Sequence, residues 1–329
     1  MPGLAEARVV NGLVQDLMLK YDGPKDYIAT RVMPVKTVPL RANSIAMMGK
    51  EMKRRHDTRI VPKQTKKFID FNLSSRVVTT EDRAAHYWLS DQEIEEWQLR
   101  MESPDVIASE GAMDEIYRDL EAEVAAIVFN VANWSAGNQS AEAAAWANIA
   151  FDLPARIDTI AAIVETDIGI DRAYLSLVAG GAVWPWIRRN TLVRQACAIA
   201  LGIRDLQSAP LGYITPAVVA EALGIKEIIV GREFIATDLT PPTYIRCWDD
   251  DAALMCLPEN VNKPVTLPFG YLCRREGHPK PYEPWRDTTR EGNPMCYDAE
   301  DCISPNLFEY DPVGDPGVSE CGFYVDNAV

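Results

Sequence analysis

Histidine, cysteine and clustered carboxylates build most active sites, and this sequence places them where they do little chemistry. Its 329 residues include three histidines. His56 sits in a basic stretch, His86 beside Tyr87-Trp88, and His278 beside Pro279. No two stand at the i, i+4 spacing that would aim a pair of imidazoles at one metal, and there is no HExxH motif. Phosphate-cradling Gly-x-Gly-x-x-Gly and Walker loops are absent, and so is the Gly-x-Ser-x-Gly nucleophile elbow. Cys273, Cys296, Cys302 and Cys321, with His278, could be drawn as a zinc site. They contain no C-x2-C knuckle, so they are read as buried thiols. Asp249-Asp250-Asp251 could face a cation, but three consecutive side chains cannot converge on one ion. The run is read as the solvated turn of a hairpin formed by 244–248 and 252–257. Trp184-Pro185-Trp186 reads as core packing or a subunit contact. No catalytic, cofactor-binding or metal-ligating residue is assigned, and the chain reads as a non-enzyme.

The elements around these residues explain more. A hydrophobic share of 47% with 25% charged residues describes a folded chain of about two domains and excludes dominant disorder. No run of about 18 apolar residues offers a membrane span. The N-terminus lacks the basic and apolar regions of a secretory signal, which predicts a cytosolic product with reduced thiols. Residues 1–80 hold 15 of the 33 basic and 7 of the 48 acidic residues, net +8; the remainder carries −23. A basic arm on an acidic body can bind nucleic acid, or lie on the body of an identical neighbour. A net charge of −15 opposes tight nucleic-acid coating.

Residues 4–20 carry a helical apolar stripe stopped by Gly23-Pro24. Tyr27 to Leu40 is proline-punctuated and predicts an extended arm or edge strand. Residues 41–72 predict a long projecting hairpin that ends in the alternating run Phe68 to Leu73 and is studded with Lys50, Lys53, Arg54, Arg55, Arg59, Lys63, Lys66 and Lys67. Ser90-Asp91-Gln92-Glu93 has the form of a capping box. Pro104 opens a helix predicted to reach about 132, with Met113, Ile116, Tyr117, Leu120, Val124, Ile127, Val128 and Val131 on one stripe. Beyond it the pattern turns α/β: a helix from Pro154, a strand over 172–178, a helix capped by Thr215-Pro216 and ended by Gly224, and a strand over 225–230. Cys321 to Asn327 reads as a closing strand. An arm and a hairpin that cannot bury themselves in their own subunit point to assembly.

In order and spacing these elements resemble the major capsid proteins of tailed bacteriophages, whose fold is shared with encapsulin shells. Carrying the resemblance are Arg31-Val32-Met33-Pro34-Val35, His86 to Asp91, Ala173 to Leu177, Ile225 to Gly231, Cys247-Trp248, Pro268 to Tyr271 and Gly322 to Val325. It implies an α+β capsid fold: an N-terminal arm (1–40), an extended hairpin or E-loop (41–72), a peripheral domain (73–145) with a spine helix over about 104–132, an axial domain (146–257) and returning C-terminal strands (258–329). The resemblance further implies self-assembly into hexamers and pentamers of an icosahedral head around double-stranded DNA, contacted non-specifically, without a cofactor or membrane. Its implied partners are a separate scaffolding protein, a portal protein and a decoration protein, and its implied location is the virion, assembled in the host cytoplasm. The eight hairpin cations become the expected intersubunit contact, with Asp114, Glu115, Asp119, Glu121 and Glu123 of the spine opposite them. Three rivals stay open: an encapsulin-like shell holding cargo enzyme, a thiol hydrolase, and a basic-arm nucleic-acid binder.

Overall fold

The computed structural model describes residues 27–48, 73–99, 104–202, 211–236, 241–257, 268–281, 285–290, 294–307, 319 and 321–329. The predicted helix at 4–20 and most of the hairpin, including the run from Phe68, lie outside these residues.

The spine helix α3 (Pro104–Val128) is preceded by α1 (Ala29–Val32) and α2 (Asp91–Leu99). At 1.5 Å per residue its 25 residues run about 37 Å. Met113, Ile116, Tyr117, Leu120, Val124 and Val128 are buried along one stripe. The helix ends four residues before the predicted limit, and Val131 is exposed. Side chains stop it: Asn133 Nδ2 donates to Ile127 O at 2.8 Å and Trp134 Nε1 to Val128 O at 2.8 Å. These bonds satisfy carbonyls that a helix end leaves unpaired. The capping box before α2 forms as read, with Ser90 N donating to Glu93 Oε2 at 2.8 Å and Glu93 N to Ser90 Oγ at 3.3 Å.

Two sheets share a buried core with the spine. The first is built on β14 (Met295–Leu307). One end pairs antiparallel with β4 (Asp82–Leu89) and, on the other edge, with β12 (Lys280–Pro281) and β13 (Trp285–Arg286). The other end pairs with β11 (Gly270–Arg275), and β1 (Val35–Val38) closes the edge parallel to β11. Residues 35–38 of the proline-flanked arm thus form an edge strand, as predicted, whereas 29–32, predicted as extended, form the short helix α1.

The second sheet runs β5 (Gln139–Ala141), β15 (Gly322–Asp326), β10 (Ala252–Cys256), β6 (Leu175–Ala179), β7 (Glu227–Val230). Every residue of β6 and β10 is buried. Leu175, Leu177, Leu254 and Phe323 join the core beneath α4 (Leu153–Ile168), α5 (Trp184–Arg189), α6 (Thr191–Leu201) and α7 (Pro216–Leu223). Val178, Ile229, Ala253 and Tyr324 join the spine's core. Burial on both faces is why these strands read as continuous apolar runs. Thr215 Oγ1 accepts Val218 N at 3.4 Å and Gly224 closes α7 with positive φ, as the sequence indicated.

Three readings are corrected. The strand predicted at 172–178 begins at Leu175, because Arg172–Tyr174 form a 3-10 turn capped by Asp171. The hairpin predicted from 244–257 does not form. Strand β9 (Tyr244–Arg246) pairs with β8 (Phe234–Ala236), and β10 pairs with β6 and β15. Asp249 to Asp251 is accordingly a connector whose carbonyls accept Ala182 N at 3.2 Å and Gly180 N at 2.9 Å.

Leu120 is fully buried at the centre of the spine stripe. Leu120→Ala should lower the unfolding free energy by about 3 kcal/mol, read by chemical denaturation of the dissociated subunit. A loss below about 1 kcal/mol, the scale of an ordinary surface change, would show that the spine does not organise the core.

Candidate functional site

The hairpin's base is formed by β2 (Ala42–Met48) and β3 (Leu73–Thr79), paired antiparallel from Ala42↔Thr79 to Met48↔Leu73. Its return strand is therefore 73–79, and the hairpin extends beyond the predicted limit of 72. Ile45 and Val78 are buried on one face, while Val77 and nearby Leu40 are exposed. The eight predicted contact residues Lys50, Lys53, Arg54, Arg55, Arg59, Lys63, Lys66 and Lys67 lie outside the described residues.

The five spine acids expected to face a neighbour have partners in their own subunit. Arg118 pairs with Asp114 at 3.0 Å and Glu115 at 2.9 Å. Arg83 on β4 pairs with both Asp119 and Glu123. Glu121 is a correction, being fully buried. It lies four residues after Tyr117 and three before Val124, so it falls on the apolar stripe itself; that spacing is the signal the sequence offered.

Glu121 joins three segments. Its Oε2 accepts Ala29 N at 2.7 Å, both oxygens accept Ile28 N at 3.0 Å, and Oε1 accepts Trp248 Nε1 at 2.6 Å. Helix α1 has no side-chain cap of its own at Ile28. A carboxylate from the spine performs that task, where the helix dipole favours negative charge. Arg31 of α1 then reaches Glu227 of β7 at 2.8 Å. Trp248 is held edge-on by Phe129 at 5.1 Å between ring centres. It also lies so close to Gly231 that a Cβ there would sit 2.2 Å from its ring carbon. Burial raises the Glu121 pKa, and the three N–H donors draw it part of the way back.

The thiols are poorly placed for nucleophilic chemistry. None of the seven cysteines is in a disulfide; Cys197, Cys256, Cys273, Cys296, Cys302 and Cys321 are buried and Cys247 is half-buried. Burial pushes Cys197, Cys247 and Cys273 up to about 11. Such thiols hold little thiolate near neutrality.

The exposed surface has features the sequence reading did not isolate. The β8/β9 ribbon presents Phe234, Tyr244 and Ile245 to solvent, with the Arg246 guanidinium 4.4 Å from the Phe234 ring centre. A lone two-stranded ribbon is marginal in water. Alternation in 234–236 and 244–246 could have revealed it had the second run not been assigned to β10. Ile199 and Leu201 on α6 are also exposed. Trp184 is buried in the core as read, while Trp186 is partly covered by Arg189. Among the described residues no helix is long and apolar enough to cross a membrane.

No protein-family model and no curated protein matches the chain. Solved structures do. A phage-related protein from Bordetella bronchiseptica shares 20% identity over 98% of both chains, with a TM-score of 0.70. The capsid of cyanophage P-SCSP1u shares 10% identity over 99% of this chain and 90% of its own, with a TM-score of 0.55. A virus-like particle from Pyrococcus furiosus shares 9% identity over 95% and 98%, with a TM-score of 0.51. The chain has the tailed-phage major capsid fold.

Glu121→Ala leaves three buried N–H donors without their acceptor and should cost about 3 kcal/mol or more, measured by denaturation. The pH dependence has a defined sign. With the folded pKa above the unfolded one, the associated stability is fully present below the ordinary glutamate value. It is lost as pH rises through the folded value. The stability of the native protein relative to Glu121→Gln should therefore decline with rising pH over that window and then level off. A difference that does not vary with pH would refute the raised pKa.

Proposed function

We propose that this chain is a major capsid protein that assembles into hexamers and pentamers of an icosahedral phage head enclosing double-stranded DNA. One observation carries the reading: the match to the phage-related protein spans 98% of both chains. Supporting it is a described hairpin stem whose strands pair only with each other. The role is structural, with no catalytic step, and the buried high-pKa thiols weigh against a thiol hydrolase.

In this reading the spine stiffens the subunit, and the arm and hairpin lie across neighbours. The hairpin cations from Lys50 to Lys67 meet acidic surface on the next subunit. Because the spine acids are engaged at home, the complementary charge comes from exposed acids such as Glu95 and Glu96 on α2. A separate scaffolding protein, a portal and a decoration protein complete the particle, which is assembled in the host cytoplasm. The likeness to the Pyrococcus virus-like particle keeps a cargo-holding shell as a second reading.

Expression with the scaffold, followed by negative-stain microscopy and nucleic-acid assay, tests the proposal. Closed shells that package DNA support the phage reading; shells that hold enzyme and no DNA support the second. A stable monomer under all assembly conditions refutes both. Changing Lys53, Arg54 and Arg55 together to Glu should cut particle yield at least about tenfold, since like charges facing across an interface cost several kcal/mol. The circular dichroism of the subunit should stay unchanged. Salt near 1 M, where the Debye length falls to about 3 Å, should restore part of the yield.

A further inference from the structure

We propose that Asn306 is the positioning residue that fixes the angle at which the β2/β3 hairpin leaves the body, through a two-point bond between its carboxamide and the backbone of Thr79. The inference rests on the assembly reading for its consequence, though not for its geometry. Asn306 Oδ1 accepts Thr79 N at 3.3 Å, and its Nδ2 donates to Thr79 O at 3.1 Å and to Ser304 O at 3.0 Å. The side chain therefore pairs with the outer edge of β3 as a peptide group of an adjacent strand would. Thr79 presents that edge because the next residue faces inward: Thr80 N donates to Arg41 O at 2.9 Å, across the stem.

The anchor sits within a sheet of the body. Asn306 lies in β14 opposite Tyr271 of β11. The neighbouring strand approaches so closely that a Cβ on Gly270 would stand 2.6 Å from the Asn306 carbonyl oxygen. The carboxamide thus projects from a strand paired along β11, and both of its donors are used.

The bond acts in a direction that other contacts control less. Ile45 and Val78 pack one face of the stem into the core and resist bending out of its plane. Swinging within that plane is opposed at the edge of β3, by Asn306 and, further back, by Cys302 Sγ against Thr80 Oγ1 at 3.2 Å. The seven-residue stem is about 23 Å long. An in-plane swing of about 10° would move its far end by about 4 Å, nearly a strand spacing. A contact repeated at every subunit boundary would not tolerate that spread.

The test uses the full chain. Spin labels carried on unnatural residues at Ser44 and Thr159 report the stem-to-body distance in the dissociated subunit, and hydrogen exchange reports the Thr79 amide. Asn306→Asp keeps an acceptor for Thr79 N–H but sets a carboxylate against Thr79 O. It should at least double the width of the distance distribution and speed Thr79 exchange about tenfold, with the melting temperature nearly unchanged. Thr79→Pro removes the donor without touching β14 and should broaden the distribution likewise. Particles from either variant should vary in diameter where the native ones are uniform. An unchanged distance distribution in both variants overturns the proposal, whatever the particles look like. A broadened distribution with uniform particles overturns its consequence for assembly. A broadened distribution in a protein whose native form makes no shell upholds the hinge and removes the capsid reading instead.

Discussion

A carboxylate buried without a cation is costly unless hydrogen-bond donors surround it, and the arrangement about Glu121 follows from that constraint. Its oxygens take two backbone N–H groups of the arm and the indole N–H of Trp248. The donors come from segments about 90 and 127 residues away. The charge is satisfied only when arm, spine and the connector before β10 are all in place. A hydrophobic contact would tolerate sliding; three convergent donors do not. The arm can then leave α1 at a set point, enter β1 beside β11, and reach the hairpin base with its direction fixed.

The spine makes this possible because it serves two sheets at once. Its stripe shares a single buried core with Leu272, Ala299 and Ile303 of one sheet and Val178, Ala253 and Tyr324 of the other. Ion pairs from Arg83 and Arg118 line its remaining surface. These partly buried pairs occupy the acids that a neighbour's cations would otherwise find. The charge asymmetry of the sequence therefore overstates what the spine offers to a partner.

Local signals in the sequence were legible because their physics is local. The Ser90–Glu93 box, the Thr215-Pro216 start and Gly224 stop of α7, and the apolar stripe from Met113 to Val128 each depend on residues within a few turns. Pairing partners were not legible. Nothing near Tyr244 states that it faces Ala236 and not the strand after it. Asp249 to Asp251 looked like a solvated turn because an acidic run gives no sign that its carbonyls serve Gly180 and Ala182. Glu121 was grouped with surface acids by type, although its position matched the buried stripe. The existence of the hairpin could be inferred from charge and alternation; its register and its bond to Asn306 are long-range facts.

The place of β15 in its sheet has a consequence for synthesis. It is an inner strand, between β5 and β10, yet it follows every strand of the other sheet in the chain. The five-stranded sheet must wait, with the apolar edge of β10 unpaired, until that late segment arrives, and such long-range pairing is intrinsically slow. The arm and the hairpin stem are made before the strand that completes this sheet. During that interval the nascent chain carries those segments without a folded partner, a state prone to association. A second molecule that shields those early segments while the sheet closes would protect yield before it had any influence on shape.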